Sequence, residues 1–386
     1  GMVSTAIAAL ALAIWLYLTC ARGGFWLCRQ RDDVLPWPPS QWPRVTAVIP
    51  ARNEAEGIAD AIGSLARQDY PGPFSIVLVD DDSEDATAEL AHRAAAGLGP
   101  DRTFTLISSR GLAPGWTGKL SAVRQGVEAA NSVAEPPDYL LLTDADITHT
   151  PDSVRALVTR AGHGQYVLTS LMARLRCVSG WERSHVPAFV YFFQMLYPFA
   201  WVNEAKNATA GAAGGCMLVR ADALKKAGGI ESIRDALIDD CSLAAKMKAV
   251  GPIWLGLTNR VVSIRRYDDF DEVRKMISRS AYAQLKYSPL LLAGVTLGMA
   301  LTFLASPLLM LFGDGTARIL GLLTFVLMAV SFQPMLRFYR MSPLWGLGLP
   351  AIAVAYMLYT LDSAYRYVRG QGGSWKGRVQ ANVSGS

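Results

Sequence analysis

Aspartates gather at three places along this chain, each where an apolar run ends. Residues 76–85 read IVLVDDDSED, residues 139–147 read YLLLTDADI and residues 237–243 read LIDDCSL. Buried strands that stop at carboxylates are the layout of an open α/β sheet with chemistry at the C-terminal edge of its strands. Acidic clusters converging on one edge repel each other unless a cation sits among them, so the pattern points to a metal-dependent site for a phosphorylated substrate. In TDADI, Asp144 and Asp146 stand two apart, a spacing that in extended chain puts both carboxylates on one side. Magnesium or manganese takes one or two such carboxylates and completes its shell with substrate phosphates. The bland alternative is a solvated loop. In LVDDDSED, Asp80 and Asp81 end a strand and could accept the imide N–H of a uracil ring, or merely shape a turn. Asp82, Ser83 and Asp85 suit turn and cap positions. Asp239 and Asp240 precede an amphipathic stretch at 241–249. A helix N-terminus favours the carboxylate anion, which serves a general base as well as a plain capping acid. His149 lies close to Asp146 in sequence, either joining a metal shell or sitting at the surface.

The elements that must position these groups follow from the alternation of apolar runs and helical stretches. VTAVI at 45–49, closed by Pro50, predicts a first strand, and 74–80, 103–108 and 138–143 predict three more. Helices are expected at 55–67, 84–96 and 118–130, with another opening at Thr150-Pro151. Such alternation implies an α/β domain over residues 44–270 with a mostly parallel, Rossmann-like sheet. No G-x-G-x-x-G follows the first strand, which excludes a nicotinamide dehydrogenase.

The ends of the chain are different. Of 386 residues, 51% are hydrophobic and 18% charged, oily for a soluble enzyme. Residues 3–21 are almost wholly apolar and predict an uncleaved anchor. Residues 288–366 hold further apolar runs and predict about three membrane helices, since roughly 20 helical residues cross a bilayer core. PWPPSQWP at 36–43 reads as a stiff linker. The uncharged run 186–202 predicts an interfacial helix, because a single crossing there would separate Asp146 from Asp240 across the membrane. Five cysteines without paired spacing fit a reducing compartment and neither a disulfide framework nor a zinc site. One conflict stands: three full C-terminal spans would carry the tail outside, yet Arg366, Arg369, Lys376 and Arg378 favour the cytoplasm. The net charge of +5 fits an anionic membrane surface and implies no nucleic acid.

Five segments together resemble the GT-A fold of family 2 glycosyltransferases: IPARNEA at 49–55, VDDDSED, TDADI, GGCMLVRADAL at 214–224 and IDDCSLAAKMKAVG at 238–251. Within that family GWTGKLSA at 115–122 resembles the hopanoid-biosynthesis-associated enzymes and, more loosely, ceramide glucosyltransferases. The resemblance implies a GT-A catalytic domain flanked by an N-terminal transmembrane helix and a C-terminal transmembrane group. It implies donor-binding roles for Pro50, Arg52, Glu54, Asp80, Asp81, Lys119, Asp144 and Arg279, with Asp81 touching uracil. Asp146, assisted by Asp144, would hold Mg2+ or Mn2+. Gly214, Gly215 and Cys216 would face the acceptor, and Asp240, beside Asp239, would be the base. Arg265 and Arg266 are further candidates to clamp the diphosphate. Two departures matter: Asp82 replaces a glycine of the nucleotide segment, and the Q-x-x-R-W motif survives only as Arg279-Ser280. The second departure favours one sugar per acceptor over a processive synthase.

The implied reaction is inverting, metal-dependent transfer of one sugar from a nucleotide sugar, UDP-linked, to the hydroxyl of a membrane lipid such as a hopanoid or sphingolipid-like acceptor. The implied location is a bacterial inner membrane, with the catalytic domain cytoplasmic. A non-catalytic membrane scaffold and a polyprenyl or polysaccharide glycosyltransferase are the competing readings. The sugar, the lipid and the oligomeric state are not written in the sequence.

Overall fold

Runs of Val, Ile and Leu that are covered on both faces become strands, and the helical stretches between them become the covering layers. A computed structural model describes residues 1–234, 236, 239–281, 285, 287–370, 374, 375, 378 and 379. Its strands are β1 (Val45–Ala51), β2 (Phe74–Asp80), β3 (Arg102–Ser108), β4 (Tyr139–Thr143), β5 (Ile147–His149), β6 (Leu168–Arg174), β7 (Cys216–Arg220) and β8 (Ile253–Ser263), besides a short pair at 374–379. Its first helices are α1 (Met2–Cys20), α2 (Ile58–Ala66), α3 (Thr87–Ala95), α4 (Gly118–Asn131), α5 (Ser153–Gly164), α6 (Gly180–Leu196), α7 (Phe199–Val202), α8 (Ala221–Lys226) and α9 (Asp239–Lys248). Then come α10 (Phe270–Ala281), α11 (Pro289–Met299), α12 (Ala305–Phe312), α13 (Gly315–Ser331), α14 (Gln333–Phe338) and α15 (Leu349–Val368).

The chain divides into two units. One comprises Gln30–Arg176 and Trp201–Arg266, together with the last residues. It contains an eight-stranded sheet in the order β3-β2-β1-β4-β7-β6-β8-β5. The first four strands are parallel, as expected from the alternation. Beyond β4 the sheet is mixed: β7 runs antiparallel to both β4 and β6, and β5 antiparallel to β8. A parallel pair needs a crossover that carries the chain back to its starting end. The connection from β6 to β7 instead brings the chain back at the end of the sheet where β6 finishes, so β7 runs antiparallel. Every residue of β1 is buried. Helix α4 lies so close to the sheet that a Cβ at Gly126 would sit 2.4 Å from Val48 Cγ1. The helix expected at Thr150-Pro151 begins at Ser153. Thr150 is held in line with the sheet by its N–H to Arg260 O, 2.8 Å, and so does not cap it.

The other unit comprises Gly1–Arg29, Cys177–Ala200 and Tyr267–Gly373. Residues 177–200 and 267–270 thus group with the apolar helices rather than with the 44–270 domain expected from sequence. Among the described residues, four stretches are long and apolar enough to cross a membrane: Met2–Cys20, Pro289–Phe312, Gly315–Phe338 and Pro343–Val368. The expected helix at 186–202 is two helices, α6 and α7. Helix α6 starts early because Ser179 and Glu182 form a capping box: Ser179 Oγ accepts from Glu182 N–H and Glu182 Oε1 from Ser179 N–H. Val186, Ala188, Val190 and Tyr191 of α6 are buried. Tyr191 shares a 2.8 Å hydrogen bond with Ser331 of α13, so that face is covered by protein rather than lying open to lipid.

The end of α15 lies beside the approach to α11. Tyr287 stacks on Tyr367, ring centroids 4.2 Å apart. Asp362 accepts from Arg274 at 2.8 Å and from Ser278 at 2.7 Å, both on α10. Three straight crossings would place these ends on opposite faces of a layer about 30 Å thick, which such contacts do not allow. Between α13 and α15, Gln333 Nε2 donates to Pro343 O at 3.0 Å.

Candidate active site

The loop after β1 and the loop after β2 are clamped together. Asn53 N–H donates to Ser83 Oγ at 3.0 Å, and Glu84 N–H to Asn53 Oδ1 at 2.8 Å. Glu54 N–H donates to Thr87 Oγ1 at 2.9 Å, and Ala55 N–H to Asp85 Oδ2 at 3.2 Å. Ser83 and Asp85 thus shape the turn as expected. Asp82 adopts φ 53°, the left-handed conformation that a glycine takes freely and that a short polar residue tolerates. The turn therefore keeps its form without the glycine. Asp80 Oδ1 takes Ser83 N–H at 3.3 Å. Asp81 is buried; Arg52 donates to its backbone oxygen at 2.7 Å and lies 3.7 Å from its Oδ2.

Asp144 and Asp146 leave β4 in a turn, not in extended chain: Ile147 N–H donates to Asp144 O at 3.2 Å. The alternation argument for placing both carboxylates on one side therefore does not apply. Their ion-pair partners differ. Lys119 Nζ lies 3.1 Å from Asp144 Oδ1. Lys119 is in the first turn of α4, whose N-cap Thr117 accepts from Leu120 N–H. A cation there opposes the helix dipole, and Asp144 compensates it. Arg265, just past β8, donates through Nε to Asp146 Oδ2 at 2.7 Å. Its Nη2 reaches both Glu54 oxygens, at 2.9 and 3.1 Å.

Asp240, in the first turn of α9, accepts Gly214 N–H on Oδ2 at 3.1 Å and Cys241 N–H on Oδ1 at 2.8 Å. Next in the chain, Gly215 O accepts Asp144 N–H at 3.1 Å. A Cβ at Gly214 would lie 3.3 Å from Asp240 Oδ2, so the backbone approaches where a side chain would crowd. Side-chain contacts and the short backbone steps 52–54 and 144–146 together make a thread. Asp81 meets Arg52, Glu54 meets Arg265 and through it Asp146, and Asp144 meets Gly215, whose neighbour Gly214 meets Asp240. Pro50, Lys119, Asp144 and Gly214 also line one small cavity of about 20 Å3.

Two expectations do not hold. Cys216 is completely buried at the start of β7, and burial pushes its thiol up, so it presents nothing to an acceptor. His149 is neither exposed nor poised for metal. It is buried between Thr143 Oγ1 at 3.0 Å and Ser153 Oγ at 2.9 Å, and burial lowers its imidazole to about 4. The side chains of Asp239 and Arg279 lie outside the described residues. The partners of the carboxylates leave no mark in the local sequence. Arg265 appeared there only as a diphosphate clamp, and its link to Glu54 carries no local signal.

Residues 46–228 match the model of Glycosyl transferase family 2. They form a family 2 glycosyltransferase domain. The undecaprenyl-phosphate 4-deoxy-4-formamido-L-arabinose transferase of Pseudomonas aeruginosa strain LESB58 is 31% identical over 179 residues, 45% of each chain. An N-acetylglucosaminyltransferase of Rhizobium leguminosarum bv. viciae is 32% identical over 116 residues, 30% of this chain and 24% of its own. The chain thus spans less than half the length of these relatives, whose names are not those of hopanoid or ceramide enzymes. Among solved structures, the mannosyltransferase PcManGT of Pyrobaculum calidifontis, in complex with GDP-Man and Mn2+, superposes with a TM-score of 0.57 at 20% identity. The match covers 93% of this chain and 99% of that one. At that identity the likeness is one of fold: the family 2 domain has a mixed GT-A sheet.

The family 2 domain offers hard oxygen donors suited to a divalent cation. The side chains of Asp144 and Asp146 are 32% and 18% exposed, within reach of a ligand. Among the described residues no three His, Cys, Asp or Glu cluster as a complete ligand set. A cation finished by diphosphate oxygens needs no third carboxylate. Three side-chain cations (Arg52, Lys119 and Arg265) already offset part of the charge of this acidic edge.

Proposed function

We propose that this protein transfers one sugar, with inversion, from a nucleoside-diphosphate sugar to a lipid acceptor in the membrane. The observation that supports it most is the thread linking Asp81, Asp146 and Asp240, residues remote in sequence, along one edge of the sheet. Asp81, paired with Arg52, holds the base of the nucleotide, for which uracil is the proposed match. Lys119 and Arg265 draw the diphosphate toward the β4 turn. A divalent cation bound by Asp144 and Asp146 would supply charge neutralisation for the departing nucleoside diphosphate. Asp240 takes the proton of the acceptor hydroxyl as that oxygen attacks the anomeric carbon, a step worth typically about 10² to 10⁴ in rate. The backbone N–H groups of Gly214 and Cys241 orient the carboxylate for it. Gly214 and Gly215 act as the narrow bridge between base and donor rather than as acceptor contacts.

The acceptor has two candidate chemistries. A carboxylate at Asp240 favours a hydroxyl, because a phosphate is already ionised and a neighbouring carboxylate repels it. Hopanoid or sphingolipid-like lipids meet that description. The names of the undecaprenyl-phosphate transferases favour a polyprenyl phosphate instead. The proposed location of the catalytic domain is the cytoplasmic face of a bacterial inner membrane, in keeping with five free cysteines. The stacking of Tyr287 on Tyr367 near Arg366 and Arg369 supports a basic tail on the side from which α11 enters.

The test is direct. Purified protein in detergent is incubated with UDP- and GDP-sugars, with total membrane lipid or undecaprenyl phosphate, and with or without Mn2+. Products are weighed by mass spectrometry and challenged with mild acid. A new acid-stable glycolipid formed only with Mn2+ is expected. An acid-labile product made only from undecaprenyl phosphate selects the second chemistry, and no transfer to any lipid sinks both.

A further inference from the structure

The acidic edge carries a guanidinium where a divalent cation is called for. Arg265 holds Asp146 Oδ2 through Nε at 2.7 Å while Nη2 grips both oxygens of Glu54. The anchor is firm. The Glu54 side chain is 10% exposed, its backbone N–H is tied to Thr87 Oγ1, and Ile264 N–H donates to Asp146 O at 2.9 Å. The grip on Asp146 is looser, because the Arg265 side chain is 32% exposed and Asp146 18%. A guanidinium fork binds a diphosphate as readily as a carboxylate. It also competes with any cation for the same Oδ2, through both occupancy and like-charge repulsion.

We propose that Arg265 is a built-in counter-ion that closes Asp146 to divalent cations until a nucleoside diphosphate draws its Nε edge away, while Nη2 stays pivoted on Glu54. The inference rests on the donor site proposed above. Cation and nucleotide then bind as a linked pair, each favouring the other by the same factor. In the free protein, Asp146 is thereby kept from gathering stray metal.

The experiment measures Mn2+ affinity, without any turnover, by the electron paramagnetic resonance of free Mn2+. Whole protein in detergent is titrated alone and with UDP or GDP, against matched mixtures lacking protein. In the wild type, nucleotide is expected to tighten Mn2+ by about 5- to 150-fold, the usual range of such couplings. Arg265→Gln is expected to bind Mn2+ tighter than wild type without nucleotide and to lose most of the coupling. If Arg265→Gln does not fold, Arg265→Met, uncharged and of similar length, gives the same readout. Equal Mn2+ affinity of the variant and the wild type without nucleotide overturns the counter-ion. Asp146→Asn separates this from the underlying reading. Mn2+ binding lost in that variant while Arg265→Gln shows no change overturns Arg265 alone. Unchanged Mn2+ binding in Asp146→Asn overturns the metal site and the counter-ion together.

Discussion

Asp240→Asn tests both the base and the acceptor chemistry. The two carboxylate oxygens each hold one backbone N–H, from Gly214 at 3.1 Å and Cys241 at 2.8 Å. An asparagine keeps one acceptor and turns its amide NH2 toward the other N–H. An unsatisfied donor costs about 1–3 kcal/mol when buried, and Asp240 is only partly buried, so about 1 kcal/mol is expected and the fold survives. The chemical loss is larger. Without a group to take the proton, transfer to a hydroxyl should fall by about 10² to 10⁴, while nucleotide binding is kept. For a phosphate acceptor no proton needs removing, and the fall should stay within about tenfold, far below that span. The assay is steady-state transfer at saturating donor, with nucleotide affinity and thermal melting measured on the same preparation. A folded variant with near-normal turnover to a hydroxyl lipid would refute the base assignment. A variant that loses nucleotide binding along with turnover would refute the claim that Asp240 acts on the acceptor side.

His149 sets an acid limit on the domain. It is buried neutral with its imidazole lowered by burial to about 4 from the ordinary histidine value of about 6.5, so the unfolded chain binds the extra proton first. Stability from this group is fully present above pH 6.5 and falls as pH drops from there to about 4, by about 3 kcal/mol. Denaturant unfolding from pH 7.5 to 4 should show that slope in the wild type and lose it in His149→Gln. At Asp82, Asp82→Gly should leave stability within about 1 kcal/mol, whereas a β-branched Asp82→Val, forced to φ 53°, should cost about 2 kcal/mol and weaken nucleotide binding. For the membrane helices, Ser288→Cys and Arg369→Cys, in a chain with its native cysteines replaced, should react with an impermeant thiol reagent from the same side of sealed vesicles. Labelling from opposite sides would mean that the contacts of Tyr287 and Arg274 with α15 do not describe the membrane form.

What the sequence determined is local. Apolar runs closed by aspartate became β2 and β4 with Asp80, Asp81 and Asp144 at their C-terminal ends, because a strand buried on both faces must end where the first solvated carboxylate appears. The left-handed turn at Asp82 and the cap of α4 before Lys119 are likewise set by residues within a few positions. The five-segment resemblance rests on their order along the chain. What only the tertiary structure decided is which charges meet. Arg265 is 119 residues from Asp146 and 211 from Glu54, and no periodicity in the chain marks such a meeting. The same holds for the burial of His149 and Cys216, the antiparallel return of β7 and the covered face of α6. Propensity and hydropathy act over a few residues, whereas ion pairing and burial depend on distances in space, and these are set only once the sheet has brought distant segments to one edge.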